Sequence, residues 1–302
     1  MDQRQRKELE GILKTGIQFG CPMSRYTTLR VGGPVEALCI VREVKSLKKV
    51  VSYLSKEKIP YLVVGRGSNL LVSDDGLKGV ALILQEELAN VKPNGKRDKV
   101  VVAGGGLALF ELLDYCTGKG LGGLEFLAGI PGTAGGAVAM NAGAWGCDVG
   151  GLVQQVQLVT SKGEVKTWGQ SRLTFTYRAL SIPKGAVIIR VKFELNHENP
   201  EIVMGKVSEY LKKRHETQPS RYPSGGSVFK NPPGDYAGRL IERTGLKGKR
   251  IGGAMISPKH ANFIVNTGGA KAADILALMD LVQREVKEQT GVELEPEIRI
   301  VG

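Results

Sequence analysis

Two glycine-rich segments constrain this chain more than any other feature. The first, Gly65-Arg66-Gly67-Ser68-Asn69, follows the apolar run Tyr61–Val64. The second runs from Gly129, Ile130, Pro131 and Gly132 through Gly135 and Gly136 to Asn141, Ala142 and Gly143. Glycine permits positive φ and close backbone approach, and N–H groups in such turns converge on anions. A dinucleotide fingerprint needs Gly-x-Gly-x-x-Gly opening a helix. Here Leu70 holds the third glycine position, and Leu70–Gly76 is too short and turn-rich for a crossover helix. The second segment lacks Gly-Lys-Ser/Thr, which excludes a P-loop. Alone, the first segment fits a phosphate loop and a plain turn between strands equally, and the second fits a tight loop packed on its neighbours. Two such segments in one chain favour a long ligand with two phosphates.

Composition narrows the class. A length of 302 residues allows two or three domains. The net charge of +12 is spread along the chain rather than blocked. It fits a basic surface or attraction of anions. No RNP, zinc-finger or helix-turn-helix signature is present, so nucleic acid is not an expected partner and phosphorylated small molecules are. Cys21, Cys39, Cys116 and Cys147 match no zinc spacing, and His197, His215 and His260 are scattered, so no metal site is expected. The charged start MDQRQRKELEGILK has no apolar leader core. No apolar run reaches the ~18 residues of a membrane span. The expected location is the cytoplasm.

The periodicities give an α+β chain. Helices are predicted over 1–15, 44–58, 107–117, 202–215, 236–244 and 271–289, the last ended by Gly291. Strands are predicted over 35–41, 61–64, 80–84, 100–103 and 187–195, with a hairpin of 153–160 and 164–168 around Ser161-Lys162-Gly163. A further strand is predicted at 262–265, and the tail 292–301 alternates as one. Residues 196–200 read as a linker.

Six motifs then occur in order: Thr27-Thr28-Leu29-Arg30-Val31-Gly32-Gly33-Pro34, Gly65–Asn69, Ile130–Gly143, Phe175-Thr176-Tyr177-Arg178, Gly225-Gly226-Ser227-Val228-Phe229-Lys230-Asn231-Pro232 and Glu295-Pro296-Glu297-Ile298-Arg299. Together they resemble the MurB family of UDP-N-acetylenolpyruvoylglucosamine reductases over nearly the whole chain. The resemblance implies a two-part FAD-binding module of vanillyl-alcohol oxidase type plus a C-terminal α+β substrate-binding domain. Residues 1–84, joined by the terminal strand 292–302, form the first FAD-binding part in this reading. Residues 85–198 form the second, and 199–291 bind substrate. The brief segment between Arg178 and the strand at 187 resembles the shorter, type II branch, which leaves the cover of the sugar nucleotide to residues outside a type I tyrosine loop.

The implied reaction is reduction of an enolpyruvyl ether to the lactyl ether of UDP-N-acetylmuramate, a step in peptidoglycan synthesis. NADPH is the co-substrate, with hydride passing from flavin N5 to C3 and a proton to C2. Such a reaction needs a cation at the carboxylate and an acid near C2. The resemblance puts Arg178 at the first task and Ser227 at the second, with Glu297 polarising the intermediate or assisting Ser227. From the residues alone, each also fits a bland role: a surface arginine, a glycine-serine loop and a solvated carboxylate among Glu293 and Glu295. FAD is expected on Arg30, Gly65, Arg66, Gly67, Ser68, Asn69, Gly129, Ile130, Pro131, Gly132, Gly135, Gly136, Asn141, Ala142 and Gly143. No covalent attachment motif surrounds Cys116 or Cys147, so noncovalent FAD is expected. Substrate contacts are expected from Tyr177, Lys230, Asn231, Arg221, His260 and Asn262, with Lys206 a weaker candidate. His260 also fits a structural histidine. A monomer is expected. Two other readings remain, a flavin oxidase for a small alcohol and a basic nucleotide- or RNA-binding protein.

Overall fold

A computed structural model of the chain describes residues 1–94 and 97–302. They divide into two compact units. Met1–Phe19, Glu36–Arg66 and Gly79–Lys212 form the first, and Gly20–Val35, Gly67–Lys78 and Lys213–Gly302 form the second.

The first unit holds helices α1 (Gln3–Leu13), α2 (Val44–Lys56), α3 (Leu109–Gly118) and α4 (Ala134–Ala139). Helix α1 begins where its sequence dictates. The Asp2 carboxylate accepts from the Gln5 N–H at 2.7 Å, and the Gln5 side chain accepts from the Asp2 N–H at 3.0 Å. This capping box pairs donors that a helix start otherwise leaves open. On α2, Leu47, Val50, Val51 and Leu54 bury one face against Leu9, Cys39, Val80, Leu82, Val187 and Ile189. Each such side chain contributes about 1.5–3 kcal/mol on burial.

A five-stranded antiparallel sheet follows the order Val165–Gly169, Val153–Val159, Val187–Glu194, Arg97–Gly104, Val91–Asn94. Its hairpin closes at the expected Ser161-Lys162-Gly163, with Val159 opposite Val165. A second apolar cluster packs Leu109, Leu112, Phe126, Val138, Val156 and Phe193. The Gly104-Gly105-Gly106 run serves this packing. A Cβ on Gly105 would lie 2.1 Å from the Ile188 carbonyl, and one on Gly106 would lie 2.2 Å from that of Leu84. The chain therefore leaves the strand through three residues without side chains, and α3 starts at Leu109 rather than at 107.

Helix α5 (Pro200–Thr217) leads out of the first unit, and α6 (Ala237–Arg243) and α7 (Ala272–Thr290) lie in the second. Helix α7 buries Ile275, Leu278, Met279, Val282 and Val286 in one stripe. Gly291 ends it in the left-handed conformation, with its N–H on the Lys287 carbonyl at 2.9 Å. Its first turn is held by Asp74, whose carboxylate accepts from the N–H groups of Ala272 and Ala273 at 2.8 and 2.9 Å. A negative charge there satisfies open donors and faces the positive end of the helix dipole. Beside this helix lies a three-stranded sheet in the order Arg250–Ile251, Ala254–Ile256, Ile264–Asn266.

Two expectations are corrected. The tail is a strand only at Arg299–Val301, parallel to Leu70–Val72. Pro296 lacks an N–H, and the backbone on either side of it bonds irregularly to Val228 and Lys230, so the alternation of 292–298 builds no ladder. Secondly, the long glycine-rich segment is not all loop, because Thr133 caps α4 by accepting from the Gly136 N–H. Residues 20–35 and 67–78 lie with the C-terminal residues in the second unit, and 36–66 lie with 79–212 in the first. Leu29, Val31 and Leu71 complete the apolar cluster of Val228, Phe229, Ile264 and Ile298, which explains the first of those groupings. No helix among the described residues is long and apolar enough to cross a membrane.

Candidate functional site

Three of the six motifs, and Gly67–Asn69 of a fourth, meet in the second unit. The Thr28 hydroxyl donates to the Ser224 carbonyl at 2.7 Å, and the Thr28 N–H donates to the Gly67 carbonyl at 3.2 Å. The Asn69 amide donates to the Glu297 carbonyl at 3.1 Å. The Glu297 N–H in turn donates to the Val228 carbonyl at 2.7 Å. Residues far apart in sequence thus hold Ser227 and Glu297 on adjoining backbone.

Asn262 completes this clamp. It is buried, its amide donates to the Phe229 carbonyl at 2.8 Å, and its amide oxygen accepts from the Phe229 N–H at 2.9 Å. Its own carbonyl accepts from the Val228 N–H at 2.9 Å. Both ends of the side chain are engaged by protein, so Asn262 fixes the Phe229 backbone. His260 supports Asn262, accepting its N–H on Nδ1 at 3.2 Å and packing edge-on against Phe263. Burial, followed by the charge of Lys247, holds the His260 imidazole below its ordinary range. Asn231 accepts the Ala237 N–H at the start of α6. Lys230 pairs with Glu295 at 3.0 Å, and Arg221 lies exposed over the Tyr222 ring.

In the first unit the two glycine-rich segments touch. A Cβ on Gly65 would lie 2.7 Å from the Thr133 hydroxyl, so only glycine allows this approach. The Gly135 N–H reaches the Gly105 carbonyl at 2.9 Å, and the Leu109 N–H reaches that of Gly132 at 3.0 Å. Arg66 lies over the exposed Phe110 ring. Asn141 is buried and bridges two loops. Its amide donates to the Thr176 carbonyl and its oxygen accepts from the Gly150 N–H, each at 3.0 Å. Thr176 opens the two-residue turn Tyr177-Arg178, closed by Thr176 opposite Ala179. The Arg178 guanidinium approaches Gly143, where a Cβ would lie 3.2 Å from Nη1. Lys206 belongs to this unit and pairs with Glu198.

Backbone strain falls on these loops. Among the described non-glycine residues with positive φ are Arg30 at 56°, Asn141 at 40° and Arg178 at 59°. Left-handed backbone costs an L-residue about 1–2 kcal/mol and collects where side-chain direction matters to function. No motif in the sequence marks these angles. Thr28, Thr133 and Asn266 were also missed as positioning residues. Asn266 donates to the Leu29 carbonyl at 3.0 Å, just before Arg30. Only the Thr-Thr-Leu-Arg motif gave any sign of this arrangement.

Comparisons with known proteins identify the family. A family model described as an FAD binding domain matches residues 34–169. Another, the C-terminal domain of UDP-N-acetylenolpyruvoylglucosamine reductase, matches residues 218–301. A UDP-N-acetylenolpyruvoylglucosamine reductase of Geobacter metallireducens is 42% identical over 302 residues, covering 99% of this chain and 97% of its own. One from Caldanaerobacter subterraneus is 41% identical over 297 residues, covering 98% of this chain and 97% of its own. The chain belongs to the UDP-N-acetylenolpyruvoylglucosamine reductase family. A solved reductase of this family, from Thermus caldophilus, aligns with a TM-score of 0.82 and 37% identity, covering 95% of this chain and 99% of its own. p-Cresol methylhydroxylase aligns at 0.56 with 9% identity over 96% of this chain and 88% of its own, a likeness of fold alone. The fold is the FAD-binding vanillyl-alcohol oxidase type with the family's C-terminal domain.

The first glycine loop suits the FAD that this family uses. Among the described residues, the N–H groups of Gly65, Arg66, Gly67 and Ser68 donate to no protein acceptor. Gly67 is buried and has a φ of 63°. A run of open N–H donors around one left-handed glycine fits the oxygens of a pyrophosphate.

Proposed function

We propose that this protein reduces UDP-N-acetylenolpyruvoylglucosamine to UDP-N-acetylmuramate with NADPH, through FAD, in peptidoglycan precursor synthesis. The observation that carries the reading is the clamp joining Asn69, the Ser227 segment and Glu297 in a chain of this reductase family. When bound, FAD supplies hydride transfer from NADPH to the enolpyruvyl group.

Residues of the two glycine-rich segments, with Arg30, hold the cofactor. The attachment is noncovalent. Burial pushes the Cys116 thiol up to about 12, which leaves it unreactive as a nucleophile. Arg178 grips the substrate carboxylate. Its planar fork meets two oxygens and stabilises charge as it builds on them. Ser227 delivers the proton to C2, and Glu297 orients or acidifies it. Tyr177, Lys230, Asn231, Arg221, His260 and Asn262 meet the sugar nucleotide, and Asn262 with His260 also holds the Ser227 segment in place. Residues 1–84 with the terminal strand 292–302 and residues 85–198 hold FAD, and residues 199–291 bind substrate. The protein works in the cytoplasm as a monomer.

The test is NADPH oxidation by the purified protein. It is expected to require UDP-N-acetylenolpyruvoylglucosamine and to yield the lactyl ether one for one. Oxidation that ignores the sugar nucleotide would overturn the reading.

A further inference from the structure

One hairpin near Arg178 starts at Gly143, but its tip has no part in the roles above. Gly143-Ala144 pairs with Cys147-Asp148, leaving Trp145-Gly146 as a two-residue turn. Both turn residues have positive φ, 58° and 82°. Such turns take Asn-Gly or Gly-Gly as a rule, because each position needs left-handed backbone. Tryptophan there is strained, and burial does not repay it, since the residue is 42% exposed. The indole instead lies against Tyr210 of α5, with ring centroids 6.3 Å apart and 28° between planes. Lys206, one turn before Tyr210, pairs with Glu198 and lies close enough to feel the Tyr210 hydroxyl. At the other end of the hairpin, Gly143 abuts the Arg178 guanidinium. All of these residues belong to the first unit.

We propose that Trp145, backed by Tyr210, is a stacking platform for the sugar ring of the UDP-sugar substrate. The inference rests on the function proposed above, in which Arg178 grips the enolpyruvyl carboxylate. Strand residues rise about 3.3 Å each, so Trp145 stands roughly 7 Å along the hairpin from Gly143. A pyranose that bears the enolpyruvyl group directly lies at about that distance from its carboxylate. The uracil lies beyond the diphosphate and does not. A flat indole matches the C–H face of a pyranose, while the polar edge of the sugar remains available to donors and acceptors.

Trp145 and Trp168 are the only tryptophans in the chain. Trp168→Phe therefore leaves Trp145 as the sole indole reporter. Titrating this FAD-loaded variant without NADPH, the sugar nucleotide is expected to change Trp145 emission saturably, and UDP or NADP+ to change it little. Trp145→Gly keeps the turn, because glycine suits its backbone. It is expected to raise the KM for the sugar nucleotide ~10-fold, well beyond any change in the KM for NADPH, and Trp145→Phe to recover most of the loss. Equal emission changes with UDP or NADP+ would assign the platform to another ring and overturn the proposal. An unchanged KM in Trp145→Gly would also overturn it, while leaving the proposed function standing. If NADPH oxidation by the wild-type protein ignored the sugar nucleotide, the function would fail and the platform with it.

Discussion

Arg178 occupies a backbone conformation that glycine would hold without strain, at φ 59°. The strain is local, in a two-residue turn, and the turn directs a guanidinium toward Gly143. Arg178→Gly separates fold from function on this point. Relief of about 1–2 kcal/mol of strain roughly offsets the extra freedom glycine gains in the unfolded chain. The thermal midpoint is therefore expected to stay within a few degrees of wild type. Turnover is expected to fall ~10²–10³-fold, because charge developing on the carboxylate loses its partner. A large drop in thermal midpoint with little loss of turnover would show that Arg178 serves the fold. The motif made Arg178 a candidate from the sequence, but the left-handed angle that aims it depends on contacts between loops.

At the scale of elements, the Ser227 segment owes its shape to Asn262. Asn262→Ala would strip both partners from the buried Phe229 peptide groups. Each buried group left unpaired costs about 1–3 kcal/mol. Denaturant unfolding is expected to show a loss of about 2–5 kcal/mol, and a change under 0.5 would contradict the clamp. His260 adds a pH dependence of definite sign. Its imidazole is held below the ordinary range, so the folded protein binds this proton later than the unfolded chain as pH falls. Stability from this group is full above its ordinary value of ~6.5 and is lost as pH drops through the folded-state value. Unfolding midpoints between pH 7 and 5 are expected to fall less in His260→Gln than in wild type.

Element existence was largely legible in the sequence, because α2 and α7 carry clear apolar stripes and Gly291 marks an end. The tail was misread because alternation alone cannot see Pro296 breaking a ladder or Val228 capturing the Glu297 N–H. Helix α4 escaped because its glycines and alanines signal a loop by propensity. Its helicity comes from the Thr133 cap and from close packing of Gly135 on Gly105.

At the scale of the molecule, three apolar clusters among the described residues hold the chain, two in the first unit and one in the second. Residues 20–35 and 67–78 join the C-terminal unit through long-range contacts that local patterns do not encode. The net charge of +12 acts at this scale too. Both NADPH and the UDP-sugar are polyanions, so a positive field should speed their encounter and salt should screen it. Raising ionic strength is expected to lower kcat/KM for both ligands while leaving kcat nearly unchanged. In the proposed function the chain runs a reductive cycle in two halves, with Ser227 serving only the second. Rapid-mixing absorbance of the flavin in Ser227→Ala tests it directly. The account predicts bleaching by NADPH at the wild-type rate and reoxidation by UDP-N-acetylenolpyruvoylglucosamine slowed ~10²-fold or more. Equal slowing of both halves, or no flavin signal in either protein, would contradict it.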